Sequence, residues 1–348
     1  MTTKLKHLFD SDWAPAFIIA EIGVNFNGDV ELAKKMIDAA SEAGADAVKF
    51  QTFTAESLVT QGTPKVRYQE ETTNAAESHY EMIRKLEFRR EDHAPIIDYC
   101  ADLGIEFIST PYDVDSAKFL KELGVEVFKT ASADLVDLPL QEYLARNADY
   151  SLVSVGMATL GEVEDAVNIH REYGNENVVL LHCVANYPCS DESLNLRVLQ
   201  TLQRTFGFKI GYSDHSVGPA AACLSAALGA QVFEKHFTID RSLPGPDHKA
   251  SVTPDEFKEL VDQIRRTERM LGSSVKRCQA EEQQMAQVSR KSIVTNCALA
   301  AGTVVTRQHL TTKRPGTGIP AARFPEVIGK TTRRALAPDH VISHSDLE

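Results

Sequence analysis

The chain has no C-x-x-C pair, although it carries six cysteines, at 100, 183, 189, 223, 278 and 297. A secreted disulfide scaffold or a structural zinc site shows closer, patterned spacing, so neither is expected. Positive charge is also short: 37 Lys and Arg stand against 49 Asp and Glu, a formal net charge of −12. A nucleic-acid-binding domain needs a basic face, which this balance speaks against, though a small basic pocket for an anionic metabolite is still allowed. The longest apolar run, Ala220 to Phe233, is interrupted by Ser225, Gly229 and Gln231 and is too short to span a bilayer. The polar opening MTTKLKHLFDSD lacks a signal-peptide pattern, and there is no repeat or low-complexity tract. The expected location is the cytoplasm, with reduced thiols.

What is present is an ordinary globular composition, 43% hydrophobic and 25% charged over 348 residues. At roughly 150 residues per domain this gives one large domain and a remainder. Eight β-rich runs alternate with amphipathic helical stretches: FIIAEIG (17–23), AVKFQTF (47–53), EFISTP (106–111), VFKTAS (127–132), SLVSVGM (151–157), VVLLHC (178–183), FKIGYSDH (208–215) and QVFEKHF (231–237). Val30 to Ala43, ended by Gly44, and Ser116 to Leu123, ended by Gly124, read as two of the helices. Eight such units match an α/β fold of the closed (β/α)8 TIM-barrel type with right-handed crossovers. An open doubly wound sheet is the alternative, but no G-x-G-x-x-G follows the first strand. The stretch from Ala55 to Glu91 is longer than a normal βα loop and reads as an insertion with one helix, Glu77 to Leu86, beside the active-site face. Residues 1–272 are therefore expected to form the barrel, 273–290 a polar linker and 291–348 a small β-rich module.

In such a barrel the chemistry stands at the C-terminal strand ends, and nearly every run here ends in polar groups. In order these are Glu21 and Asn25; Lys49 and Gln51; Ser109 and Thr110; Lys129 and Ser132; Ser154; His182 and Tyr187; Ser213, Asp214 and His215; and Glu234, Lys235 and His236. One polar strand end is an ordinary solvated residue. Eight in register form a site. Lys49, Thr110, Lys129, Ser132, Ser154 and Ser213 supply cations and hydroxyls suited to a phosphate or carboxylate. His215 and His236, on neighbouring strands, can share one divalent ion, whereas a lone histidine is more often a satisfied polar residue. His182 sits in an apolar run and reads as a buried, hydrogen-bonded histidine. In LPGPDHKAS, Asp247 and His248 read either as caps of the helix from Pro254 or, for Asp247, as a contact to a polyhydroxy ligand. Arg314, before a Pro-Gly turn, reads equally as a surface arginine or a binding group.

Nine segments, EIGVNFNG, AVKFQTF, STP, KTASAD, SVGMAT, YSDHS, EKHFT, GPDHKAS and KRPGTG, occur in an order that resembles the sialic acid synthases, including relatives that make legionaminic and pseudaminic acid. The resemblance covers nearly the whole chain and extends to a C-terminal antifreeze-like (SAF) domain. It implies a transferase that condenses phosphoenolpyruvate with the open-chain aldehyde of an N-acetylated hexosamine, either N-acetylmannosamine or a 2,4-diacetamido-trideoxy analogue. It also implies a divalent metal (manganese, magnesium or cobalt) on His215 and His236, and no organic cofactor. Lys49, Thr110, Lys129, Ser132, Ser154 and Ser213 would hold phosphoenolpyruvate. Glu21, Gln51, Asn74, Tyr187 and Asp247 would face the sugar and metal-bound water. Arg314 would reach the N-acetyl group of the partner's substrate in a domain-swapped homodimer. Three positions depart from the family pattern on the sugar side: Phe26 replaces a histidine, Ala185 an asparagine and Asp134 a glutamate. A rival enzyme class is a Schiff-base pyruvate aldolase using Lys49, Lys129 or Lys235. A third reading is a carbohydrate-binding module on an inert barrel.

Overall fold

The computed structural model describes residues 4–11, 14–74 and 76–348. It divides into two compact units, residues 1–272 and 273–348. In the first, eight parallel strands close into a barrel in sequence order. These are β1 (Phe17–Gly23), β2 (Ala47–Thr52), β3 (Glu106–Pro111), β4 (Val127–Thr130), β5 (Tyr150–Ser154), β6 (Val178–His182), β7 (Lys209–Asp214) and β8 (Val232–His236). Closure is made by β1 on β8, where Phe17 pairs with Val232 and Glu21 with His236. Among the described residues no helix is long and apolar enough to cross a membrane.

The period of two along each strand sorts the side chains into two cores. Ile18, Ala20, Val48, Phe50, Phe128, Val153, Leu180 and Phe233 face outward and pack under the helices. Phe17, Ile19, Ala47, Ile108, Val127, Leu152, Val179, Leu181 and Val232 fill the interior, together with Leu5 and Leu8. Gly211 shares that interior phase, and a Cβ there would stand 2.3 Å from Leu181 Cδ2 and 2.6 Å from the Val232 carbonyl oxygen. Only a glycine lets the neighbouring strands approach so closely. At the C-terminal ends the inward phase becomes polar, and the site begins there.

The helices carry their own start signals. The Asp29 side chain accepts from the Glu31 and Leu32 amides, and the helix Val30–Glu42 buries Ala33, Met36, Ile37 and Ala40. Glu256 reaches back to the Thr253 amide at 2.9 Å to open the helix Pro254–Leu271. Asp247 and His248 therefore do not cap that helix; the His248 ring instead meets Thr238 Oγ1 at 2.7 Å.

Two expectations need correction. The insertion after β2 holds three short helices, Ala55–Leu58, Arg67–Thr72 and His79–Lys85, in place of one. Val24, Phe53, Met82 and Leu86 form a satellite core beneath it. The 273–290 stretch is not plain linker: it contains the helix Gln283–Ser289, and the Gly316 amide donates to the Gln287 carbonyl within the second unit.

In the second unit β9 (Ser292–Thr295) pairs antiparallel with β10 (Leu310–Lys313). Residues 299–305 form only isolated bridges, Leu299 to Leu336 and Val304 to Thr331. Ile293, Leu299, Val305, Leu310, Ile319, Val327, Leu336, Ile342 and Leu347 make a core of its own. Of the six cysteines, only Cys278 and Cys297 are exposed, and both lie in this unit.

Candidate active site

A cavity of about 450 Å³ opens at the C-terminal ends of the barrel strands. Its floor is made by the inward phase: Glu21, Lys49, Thr110, Lys129, Ser154, Ser213 and Glu234 all line it, and all are buried. Lys49 Nζ pairs with Glu21 Oε2 at 2.7 Å and donates to Thr110 Oγ1 at 3.0 Å. Lys129 Nζ donates to Ser154 Oγ at 2.6 Å and to the Thr130 carbonyl at 3.1 Å. Glu234 Oε2 lies between the two ammonium groups, 3.9 Å from Lys49 and 3.8 Å from Lys129, while Ser213 Oγ donates to its other oxygen at 3.0 Å.

These contacts set the charges. Burial alone would push the Glu234 carboxyl up, but Lys129 and Lys49 outweigh it and hold the group ionised. Glu21 goes the other way: burial, helped by the Glu234 charge, raises it despite Lys49. Burial lowers Lys49, yet the Glu21 and Glu234 carboxylates carry it above the ordinary lysine value. Lys129 falls below its ordinary value because burial exceeds the pull of Glu234. The floor is thus a lysine and hydroxyl surface with a fixed carboxylate, Glu234, at its centre.

The rim holds aromatic rings. His215 and His236 have ring centroids 5.6 Å apart, and the Tyr187 ring lies 4.1 Å from His215 and 5.3 Å from His236. His215 Nδ1 meets the Val184 carbonyl at 2.7 Å, so Nδ1 carries the proton and Nε2 the lone pair. Burial pushes His215 down to about 4, and burial with the neighbouring His215 holds His236 well below its ordinary value. Both imidazoles are neutral at neutral pH. Asp247 also lines the cavity, and burial raises its carboxyl to about 6 against the pull of Lys49.

Residues 36–276 match the model of the NeuB family, and residues 290–348 match that of the SAF domain. The chain belongs to the NeuB family. Several of its relatives are synthases of sialic-acid-type sugars. It is 41% identical over 327 residues to an N,N'-diacetyllegionaminic acid synthase of Campylobacter jejuni, covering 93% of this chain and 98% of that one. A synthase of the same name from Legionella pneumophila is 43% identical over 317 residues, 90% of this chain and 89% of that one. Among solved structures, an N-acetylneuraminic acid synthetase from Leptospira borgpetersenii superposes with a TM-score of 0.71 at 36% identity, covering 78% of this chain and 90% of that one.

For a NeuB-family barrel, the two imidazoles fit a divalent ion. They are the neutral, ligand form; a carbonyl fixes one tautomer; and the buried His236 Nδ1 has no hydrogen-bond partner. Among the described residues no three or more His, Cys, Asp or Glu side chains gather into a metal cage, so this pair suits an open site completed by water and substrate.

Most of the residues singled out from the sequence meet in the cavity: Glu21, Lys49, Gln51, Thr110, Lys129, Ser132, Ser154, Tyr187, Ser213, His215, His236 and Asp247 all line it. Gln51 Nε2 donates to Glu21 Oε1 at 3.0 Å and Ser132 Oγ lies 3.0 Å from Cys183 Sγ. Asn74 is exposed in the insertion, accepts from the Ala76 amide at 3.0 Å and is not among the lining residues. Arg314 is an exposed residue of the second unit.

Four strand-end polar residues face the other way. Ser109 bonds Thr52, His182 Nε2 meets the Leu194 carbonyl at 2.7 Å, and Asp214 pairs with Lys235. Lys235 therefore drops out as a Schiff-base candidate. Of the departures, Phe26 packs on Phe50 and Phe88 in the core, away from the cavity. Ala185 lines the cavity, and Asn186 next to it donates to the Pro188 carbonyl. Asp134 lies outside the lining, its carboxyl raised to about 7 by burial and Asp137. Glu234 is the functional residue that the strand-end reading left without a role. The signal was available: it stands two residues before His236 on one strand and so shares its face.

Proposed function

We propose that this chain condenses phosphoenolpyruvate with the aldehyde of an N-acetylated hexosamine, giving a nine-carbon 2-keto sugar acid and inorganic phosphate. The observation that carries the reading is the cavity floor, where two buried lysines and several hydroxyls surround space fit for a small polyanion. Lys49, Thr110, Lys129, Ser132, Ser154 and Ser213 hold the phosphate and carboxylate of phosphoenolpyruvate. Its C3 attacks the sugar aldehyde, water adds at C2, and C–O cleavage at C2 releases phosphate. Glu21, its carboxyl raised by burial, gives a proton to the aldehyde oxygen as the C–C bond forms and regains one from the water that adds at C2. Glu234 fixes both lysines. A divalent metal on His215 and His236 would polarise that aldehyde as a Lewis acid. Gln51, Tyr187 and Asp247 face the sugar.

The lining also includes a group of apolar side chains, Val24, Phe53, Leu58, Met82, Ile83 and Leu86, with Gln69 and His79 among its polar members. The apolar group favours methyl groups over hydroxyls. We therefore assign a 2,4-diacetamido-2,4,6-trideoxymannose as the acceptor, in agreement with the two legionaminic acid synthases among the relatives. Phosphate release in the presence of Mn²⁺ is the test. At about 0.8 kcal/mol per buried carbon, two methyls predict at least a roughly tenfold higher kcat/KM for this acceptor than for N-acetylmannosamine. A preference for N-acetylmannosamine would reverse the acceptor assignment alone. Condensation of pyruvate without phosphate release in chelated enzyme, with a borohydride-trapped adduct, would replace the whole reaction by the aldolase.

We further assign Arg314 to the N-acetyl group of a partner protomer's substrate, as the family resemblance implies, in a domain-swapped homodimer. Arg314→Ala is then expected to raise KM for the sugar at least about tenfold, on the scale of one lost charge-assisted hydrogen bond, with KM for phosphoenolpyruvate unchanged. An equal rise in both KM values counts against the assignment.

A further inference from the structure

Immediately behind the two histidines lies a second constellation that the proposed chemistry does not use. Asp214 and Lys235 are direct cross-strand partners on β7 and β8, and each is followed at once by a rim histidine, His215 or His236. Because strand side chains alternate, the two turn to the outer face while their neighbours point into the cavity. Lys235 Nζ lies 2.9 Å from Asp214 Oδ2, with the side chains only 3% and 2% exposed. The pair then grips the chain just past His215. Asp214 Oδ1 accepts from the Ser216 amide at 2.8 Å and from Ser216 Oγ at 2.6 Å, and Lys235 Nζ donates to the Ser216 carbonyl.

We propose that the Asp214–Lys235 ion pair, clamped onto Ser216, is a positioning device that fixes the distance and attitude of the His215 and His236 imidazoles for a divalent cation. The proposal rests on the reading of those histidines as the cation's ligands. Three features support it. A buried ion pair is a poor way to gain stability, since desolvation offsets its attraction and apolar replacements often pack as well. What the pair does supply is direction: a fixed cross-link at the residue before each ligand. On the His215 side both backbone neighbours are also held, with Val184 gripping the ring and Ser216 the following peptide. On the His236 side the His236 carbonyl accepts from the Val252 amide at 2.8 Å and the Phe237 amide donates to the Glu21 carbonyl at 2.8 Å. The β7–β8 ladder itself runs only as far as Asp214 and Lys235, and the ion pair with its grip on Ser216 ties the two strands together at the point where that ladder ends.

The test is Mn²⁺ binding to the full-length protein, followed by electron paramagnetic resonance, in wild type, Lys235→Met, Lys235→Arg and the double variant Asp214→Asn/Lys235→Met. Loss of an outer support of a metal ligand typically weakens binding about 10–100-fold, and Lys235→Met is expected in that range. Its kcat at saturating Mn²⁺ is expected to return to within about threefold of wild type, which general misfolding would not allow. Lys235→Arg, which keeps the cation, is expected to retain wild-type affinity. Should Lys235→Met fail to fold with its Asp214 charge unpaired, the double variant leaves no buried charge, and it is expected to melt near wild type yet bind Mn²⁺ as weakly. Folded variants that bind Mn²⁺ within twofold of wild type overturn the positioning role and leave the histidine reading intact. A wild-type protein that binds no Mn²⁺ overturns both.

Discussion

Lys129→Met is expected to lower kcat/KM for phosphoenolpyruvate by about 10²–10³-fold, roughly 3–4 kcal/mol, with the barrel still folded. The ammonium is anchored to Ser154 Oγ and the Thr130 carbonyl and faces Glu234 across 3.8 Å. Methionine has almost the same length and no charge, so the shape of the floor survives while it loses one of its two cations. Glu234, now balanced only by Lys49, would sit beside an incoming phosphate and repel it. The loss is therefore expected in KM for phosphoenolpyruvate as well as in kcat, with KM for the sugar nearly unchanged. Steady-state phosphate release with each substrate varied in turn reads this directly, and thermal melting verifies the fold. An unchanged KM for phosphoenolpyruvate would remove Lys129 from the anion site.

His236→Ala is expected to abolish Mn²⁺ binding and to reduce kcat by at least about 10³-fold, the several kcal/mol that Lewis-acid assistance provides. The fold is expected to survive, because the ring borders the cavity and its buried Nδ1 has no partner to lose. Removing it strands no other polar group. Calorimetric titration with Mn²⁺ and phosphate release on the same sample separate binding from turnover. Normal turnover at stoichiometric metal would take His236 out of the ligand set.

The barrel was legible because eight β-rich runs recur between amphipathic helical stretches, several of them stopped by a glycine such as Gly44, Gly124 or Gly207. The alternation of side chains along each strand decided which strand-end groups reach the cavity. Glu234 and His236 share one face of β8, while Lys235 between them, like Asp214 on β7, faces out. Listing strand ends without their phase put all of them in one group and left Glu234 unassigned. The pairing of each floor lysine with a carboxylate was not legible either, since it arises from strands that sequence does not order in space. The short helices Ala55–Leu58 and Arg67–Thr72 span too few turns to show a period, and Gln283–Ser289 is polar enough to pass for linker. Asn74 and Arg314 entered through resemblance alone: Asn74 is not among the residues that line the cavity, and Arg314 belongs to the second unit.

The distribution of thiols gives the molecule a built-in handle. Cys100, Cys183 and Cys189 are buried in the barrel and Cys223 is partly covered, whereas Cys278 and Cys297 stand open on the second unit. A maleimide spin label applied briefly to the native protein would therefore mark the C-terminal module preferentially and leave the reaction chamber untouched. Pulsed dipolar spectroscopy on such a sample would report the separation between the labels on Cys278 and Cys297 and, in the proposed homodimer, further separations between protomers, without altering a single residue of the chemistry.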